Sequence, residues 1–179
     1  MAAVSTNDES RQVPWLIREA TGEDWPGIWQ IVEPVVRAGE TFAWDRDTTE
    51  DQARAKWFQS PPGRTFVAVG TGELDGVVLG TGEMHPNQRG GGSHVANAGY
   101  MVRAGQGGRG LARALCAYSL EAARTAGFRA MQFNAVVETN TRAVAAWQAM
   151  GFEVLATTPE AFNHPSQGYV GLHVMYRRL

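Results

Sequence analysis

Residues 100–112, YMVRAGQGGRGLA, restrict the possible folds of this chain more than any other stretch. An apolar run, Tyr100, Met101 and Val102, leads into four glycines within six residues: Gly105, Gly107, Gly108 and Gly110. A helical pattern follows, with Leu111, Leu115, Tyr118 and Ala122 on one face. The stretch therefore predicts a strand, a turn and a helix N-terminus. A helix start offers unpaired N–H groups and the positive end of the dipole, and glycines let backbone approach a ligand closely. Together they make an anion site suited to phosphate. Arg109 adds a side-chain charge.

Two readings of the glycines compete. Gly105, Gly107 and Gly110 match G-x-G-x-x-G, the dinucleotide fingerprint, which asks for a carboxylate about 20 residues on, at the end of the next strand. The next apolar stretch, Ala130, Met131, Gln132, Phe133 and Asn134, has none. Alternatively, residues 107–112, GGRGLA, resemble the [Q/R]-x-x-G-x-[G/A] pyrophosphate loop of the GNAT superfamily of N-acetyltransferases. Residues 140–152, NTRAVAAWQAMGF, are similar to that superfamily's second signature, an Asn, an apolar helix, then Gly-Phe. The order and separation of the two signatures favour the acetyltransferase reading. The resemblance spans residues 16–179. It implies an α+β fold: a central, mostly antiparallel sheet with splayed middle strands, flanked by about four helices.

Composition bounds the function classes. The 179 residues suit a single domain, 15–179, behind a flexible segment, 1–14. A formal net charge of −2, without a dense basic run, argues against nucleic acid or an anionic membrane as partner. Cys116 has no second cysteine to pair with, and no signal peptide or long apolar segment is visible, so a cytoplasmic protein is expected. His85, His94, His164 and His173 lack metal-ligand spacing, and no metal is expected. A homodimer stays open.

In chain order, a strand is expected at 15–18, then a helix from Thr21 with Asp24 as its capping-box partner. Trp25, Ile28, Trp29, Val32, Val35 and Val36 form its apolar face, and Pro34 is expected to bend or end it near Glu33. A second helix starts near Thr48 or Thr49, with Trp57 and Phe58 as its apolar residues. Strands at 65–70 and 74–84 are joined at Thr71, Gly72 and Glu73. Another strand, 94–102, feeds the glycine loop. After its helix come a strand at 130–137, a helix at 140–150, and two strands, 152–157 and 169–177, separated by a long loop at 159–168.

The resemblance implies acetyl-CoA as co-substrate and a small amine, amino-acid-like, as acceptor. Main chain at Met101, Val102, Arg103 and Ala104 would pair with the pantetheine arm, and Gly107, Gly108, Arg109, Gly110, Leu111 and Ala112 would hold the pyrophosphate. Asn140 would hold the pantetheine amide, and it also suits a helix N-cap. Glu40, Thr41, Phe42 and Trp44, in the loop between the first two helices, together with His94 and His164, are candidate acceptor contacts. The chain departs from the pattern at three places. Ala146 and Trp147 stand where many relatives carry Leu-Tyr, and an indole cannot protonate a thiolate. Asn97 stands where phosphinothricin-type relatives carry a glutamate base; an amide can only position a water. Gly107 replaces a usual Gln or Arg. Asn97 and Glu138 are the candidate catalytic residues, with His94 and Glu83 as further ends of a water relay. A binding module without turnover and a protein N-terminal acetyltransferase are the alternatives.

Overall fold

The structure, a computed structural model, describes residues 14–179. Seven strands form one sheet in the order β1-β2-β3-β4-β5-β7-β6. They are β1 (Trp15–Glu19), β2 (Arg64–Gly70), β3 (Val78–Pro86), β4 (Val95–Val102), β5 (Ala130–Val137), β6 (Glu153–His164) and β7 (Gly168–Arg178). Four α-helices accompany the sheet among the described residues: α1 (Trp25–Ala38), α2 (Glu50–Trp57), α3 (Leu111–Thr125) and α4 (Thr141–Ala149). Neighbouring strands are antiparallel except β4 and β5, which run parallel. That pair is joined only at Val95↔Ala130 and Ala96↔Met131. Beyond Ala96 and Met131 the two strands separate, and the sheet opens into a wedge at its centre.

Each face of the sheet has its own core. On one, α3 packs Leu111, Leu115, Cys116 and Leu120 against Phe66, Leu79, Met84, Met131 and Met175. On the other, Trp25, Ile28, Ile31, Val32 and Val36 of α1 meet Ala53 and Trp57 of α2 over Val67, Val78 and Met101. The indole N–H of Trp57 donates to Thr81 Oγ1 at 2.9 Å, so the α2 side is the face on which Thr81 projects. Helix starts follow their caps. Thr21 and Asp24 form a capping box around a 3-10 turn that runs into α1, and Thr49 caps α2 by accepting from Gln52 N. The Arg18 guanidinium beside Asp24 holds that carboxyl down to about 2.

Three expectations are corrected. Of the two outcomes expected at Pro34, a bend or an end near Glu33, the end does not occur: helix α1 passes through the proline. A helix-interior proline costs about 3 kcal/mol, but burying a Val or Ile side chain returns about 1.5–3 kcal/mol. Ile31, Val32 and Val36 are buried on either side of Pro34, while the proline ring itself faces outward. Strand β3 starts at Val78, not Leu74, because Leu74 belongs to a 3-10 turn at Gly72–Leu74 and Gly70 N pairs with Val77 O. The expected long loop at 159–168 is instead a strand hairpin. Phe162 pairs with Val170, and His164 with Gly168. A register shift between Thr158 and Phe162 absorbs Pro159 in the edge strand β6, where a missing N–H does not break a central ladder.

Candidate active site at the opening between β4 and β5

The glycine loop lies where the wedge meets helix α3. Gly105, Gly108 and Gly110 all have positive φ, and Gly110 occupies the N-cap position of α3 at φ 85°. No side chain caps this helix, and its first turn carries no acidic residue. Its first N–H groups are therefore free to meet an anion. A Cβ built on Gly108 would lie 2.9 Å from Arg142 Nη2, which places the Arg142 guanidinium directly against the loop. Arg142 sits in the first turn of α4 and was not among the expected cofactor contacts; its position two residues after Asn140 was the available signal. Asn140 is the N-cap of α4, its Oδ1 accepting from Ala143 N at 3.2 Å. The side-chain NH₂ of Asn140 has no hydrogen-bond partner among the described residues.

Beside the wedge lies a cavity of about 360 Å³. Thr41, Phe42, Trp44 and Trp57 wall it on the helical side, Glu83, His85, Asn97 and Gly99 on β3 and β4, and Asn134, Asn140 and Trp147 across the gap. Phe42, Trp44 and Trp57 meet edge to face in a mutual triangle with ring centroids 6.0–6.2 Å apart. Among its lining residues no lysine or arginine occurs.

Glu83 is the unusual group in this cavity. Burial pushes its carboxyl up to about 8, and Oε2 has no hydrogen-bond partner among the described residues. In the β3–β4 ladder Glu83 faces Gly99, and a Cβ at Gly99 would lie 3.1 Å from Glu83 Oε1, so the glycine leaves the space that the carboxyl occupies. His85 Nε2 lies 3.7 Å from Glu83 Oε2. Its Nδ1 is 2.9 Å from the Pro86 carbonyl oxygen. A carbonyl only accepts, so Nδ1 carries the proton and Nε2 presents a lone pair when the ring is neutral.

The remaining expected residues divide between the site and the scaffold. Asn97 lines the cavity opposite His85, with its Oδ1 accepting from Ala98 N at 2.9 Å. Met101 is buried against the α1–α2 core, while Arg103 N donates to Leu79 O at 2.8 Å. Ala104, Gly107, Arg109 and Gly110 are exposed along the loop, and Leu111 and Ala112 start α3. Glu138, by contrast, lies off the cavity, its carboxylate accepting from Gly171 N–H across to β7. His94 is exposed just before β4, where its carbonyl accepts from Arg129 N. His164 is buried at the β6–β7 tip, edge-on to Phe162 and accepting from Ser166 N. Glu40 is exposed, following the left-handed Gly39 that ends α1. Trp147 is buried against Tyr100 and Phe133, and the Tyr100 hydroxyl pairs with Ser119 Oγ at 2.5 Å. Cys116 is buried in α3, its thiol pushed up to about 12 by burial, and so is no nucleophile at neutral pH.

Among the described residues no group of His, Cys, Asp and Glu is arranged to hold a metal ion, and no helix is long and apolar enough to cross a membrane. A GCN5-related N-acetyltransferase from Kribbella flavida is 52% identical over 93% of this chain and 98% of its own, with a TM-score of 0.88. The Salmonella typhimurium protein yncA, solved with its cofactor acetyl-CoA, has the same fold at 22% identity and a TM-score of 0.76, over 92% of this chain and 94% of its own. N-acetyltransferase aca1 of Schizosaccharomyces pombe is 29% identical over 98 residues, 54% of this chain, and the match spans about half, 47%, of that relative. Residues 19–152 match the Acetyltransferase (GNAT) family. With the split β4–β5 pair and the uncapped glycine loop in place, the chain belongs to the GNAT family of N-acetyltransferases.

Proposed function

We propose that this acetyltransferase moves the acetyl group of acetyl-CoA directly onto the amine of a small, amino-acid-like acceptor. The observation that carries the reading is what flanks the split between β4 and β5: a loop of free backbone donors follows β4, and an aromatic-walled cavity holding a buried carboxyl is lined from both strands. Gly108 and Gly110 suit a pyrophosphate, since both have positive φ and a Cβ on Gly108 would displace Arg142. The N–H groups that open α3, with Arg109 and Arg142, would hold that group, and the main chain of residues 101–104 would run beside the pantetheine arm. Asn140 offers its free NH₂ to the same arm.

Acetyl-CoA supplies an activated acyl carbon. The chain supplies position and proton movement. Phe42, Trp44 and Trp57 would pack against the acceptor from the helical side of the cavity. Backbone N–H groups at the diverging end of β4 are placed to meet charge developing on the acyl oxygen. Glu83, once ionised, takes a proton from the acceptor ammonium, and Asn97 orients the amine or a water between them. Holding the two reactants in line supplies about 7–11 kcal/mol, and a positioned base about 10²–10⁴-fold more. The inert Cys116 supports direct transfer over an acetyl-enzyme.

Binding tests the first half of this reading. Acetyl-CoA at about 100 times its Kd stabilises the native state by about 2.7 kcal/mol, which calorimetry and a melting curve both register. Arg142→Ala is expected to reduce that shift without altering the unliganded melting temperature. A wild-type protein indifferent to millimolar acetyl-CoA in both measurements would overturn the assignment.

A further inference from the structure

Acetylation of an ammonium by a thioester yields amide, thiol and one proton, and that proton must leave Glu83, a carboxyl that burial cuts off from bulk solvent. We propose that Glu83 and His85 form a proton-exit pair, His85 carrying to bulk water the proton that Glu83 takes from the acceptor. This rests on the acetyl-transfer reading and adds the route that the reading lacks.

Glu83 and His85 are two apart on β3 and both line the cavity, but they differ in depth. The Glu83 side chain is 10% exposed and that of His85 33%, so the pair runs from the interior to the solvent. The unpartnered Glu83 Oε2 is the oxygen nearest the imidazole, 3.7 Å from Nε2. That is just outside hydrogen-bond range, a gap closed by a small turn of the ring or by one bridging water. The Pro86 carbonyl holds the Nδ1 proton, which leaves the Nε2 lone pair toward Glu83.

The surroundings supply no competing charge. Of the cavity-lining residues only Glu83, His85 and Tyr100 titrate, and the Tyr100 hydroxyl is engaged by Ser119. The facing strand β4 presents Asn97 and Gly99, α2 presents Trp57, the loop after α1 presents Thr41, Phe42 and Trp44, and β5 presents Asn134. Lys56 of α2 lies over the Trp44 ring, 5.1 Å from its centroid, and is not part of the lining.

The proton balance closes. The ammonium gives a proton to the Glu83 carboxylate, freeing the nitrogen lone pair for the acyl carbon. The carboxyl O–H then passes that proton to His85 Nε2. The imidazolium keeps its Nδ1–H on Pro86 and releases the Nε2 proton to water, and both groups return to their starting states. The amine's second proton ends on the leaving thiolate. His85 acts through Glu83 and is therefore a positioning residue rather than a catalytic one.

The pair is tested with wild type, Glu83→Gln and His85→Gln. For His85→Gln the expected result is a loss of at least about tenfold in kcat/KM for the amine, an unchanged Kd for acetyl-CoA, and partial recovery on adding imidazole, which leaves wild type unaffected. Turnover within twofold of wild type and indifferent to imidazole would overturn the exit route. A measurement free of turnover stands beside it. Imidazole ¹⁵N spectra are expected to show the Nδ1–H tautomer and an Nε2 resonance that moves in Glu83→Gln. An Nε2–H tautomer, or an Nε2 resonance untouched by Glu83→Gln, overturns the pair. Failure of the acetyl-transfer reading looks different: wild type binds no acetyl-CoA or acetylates no amine, while the spectra still decide whether the two groups are coupled.

Discussion

The glycine loop and the cavity flank the split between β4 and β5, yet they are built by different means. The loop is contiguous in sequence, and its donors are backbone N–H groups, so its function depends on conformation more than on side-chain identity. The cavity draws on the loop after α1, on α2, on three strands and on α4, and its chemistry is in side chains. A local backbone site tolerates departures such as Gly107 in place of a Gln or Arg. A site assembled from distant side chains depends on register as well, as the space that Gly99 leaves for the Glu83 carboxyl illustrates.

If that contrast holds, variants at the two sites separate cleanly. The largest expected effect is at the loop: Gly110→Glu places a side chain and a negative charge where the anion sits, in a backbone conformation that favours glycine. It should weaken acetyl-CoA binding by at least about a hundredfold, roughly 2.7 kcal/mol, with an unchanged far-UV spectrum. A folded variant that binds normally would mean that the loop does not hold the phosphates. A smaller effect is expected at the cavity: Trp44→Ala opens the aromatic triangle and should raise KM for the amine about tenfold, leaving the Kd for acetyl-CoA alone. An equal change in both constants would show that the two sites are not separate.

The same contrast explains what could be read from the sequence. Strand β5 was expected at 130–137 and is found there, and Asn140 is the N-cap it was expected to be. In these stretches local periodicity and capping agree with the tertiary structure. Pro34 does not end α1 because a proline's local cost is outweighed by the packing of the helix on the sheet, which no single segment displays. Residues 159–168 form a hairpin rather than the expected loop, and the edge strand accommodates Pro159 where a central strand would reject it. Thr41, Phe42, Trp44 and Asn97 were legible as cavity residues through the resemblance. Trp57, read only as a helix's apolar residue, was not, and neither was the place of Arg142 against the glycine loop, since each meets a partner far along the chain. Glu83 was one of several relay candidates. It is its burial opposite a glycine, a property of strand register, that distinguishes it from Glu138, whose carboxylate is spent on Gly171.

Register also links activity to stability. The Glu83 carboxyl ordinarily titrates near 4.5 and is pushed up to about 8 in the fold, so folding favours its protonated form. Its contribution is complete below the ordinary value and is lost as pH rises through about 8. On the proposed mechanism activity needs the ionised form, and so is expected to rise as pH approaches about 8, where that stabilising contribution is gone.

The most direct test of the account is an initial-rate assay of wild type with acetyl-CoA and a panel of free amino acids, small amines and short peptides, following thiol release and identifying products by mass spectrometry. The account predicts amine-dependent thiol release matched one to one by N-acetylated small amine, with intersecting rather than parallel double-reciprocal lines and kcat/KM rising with pH toward about 8. Bound acetyl-CoA with no amine-dependent thiol release, or peptides turning over at least about tenfold faster than every small amine, would contradict it.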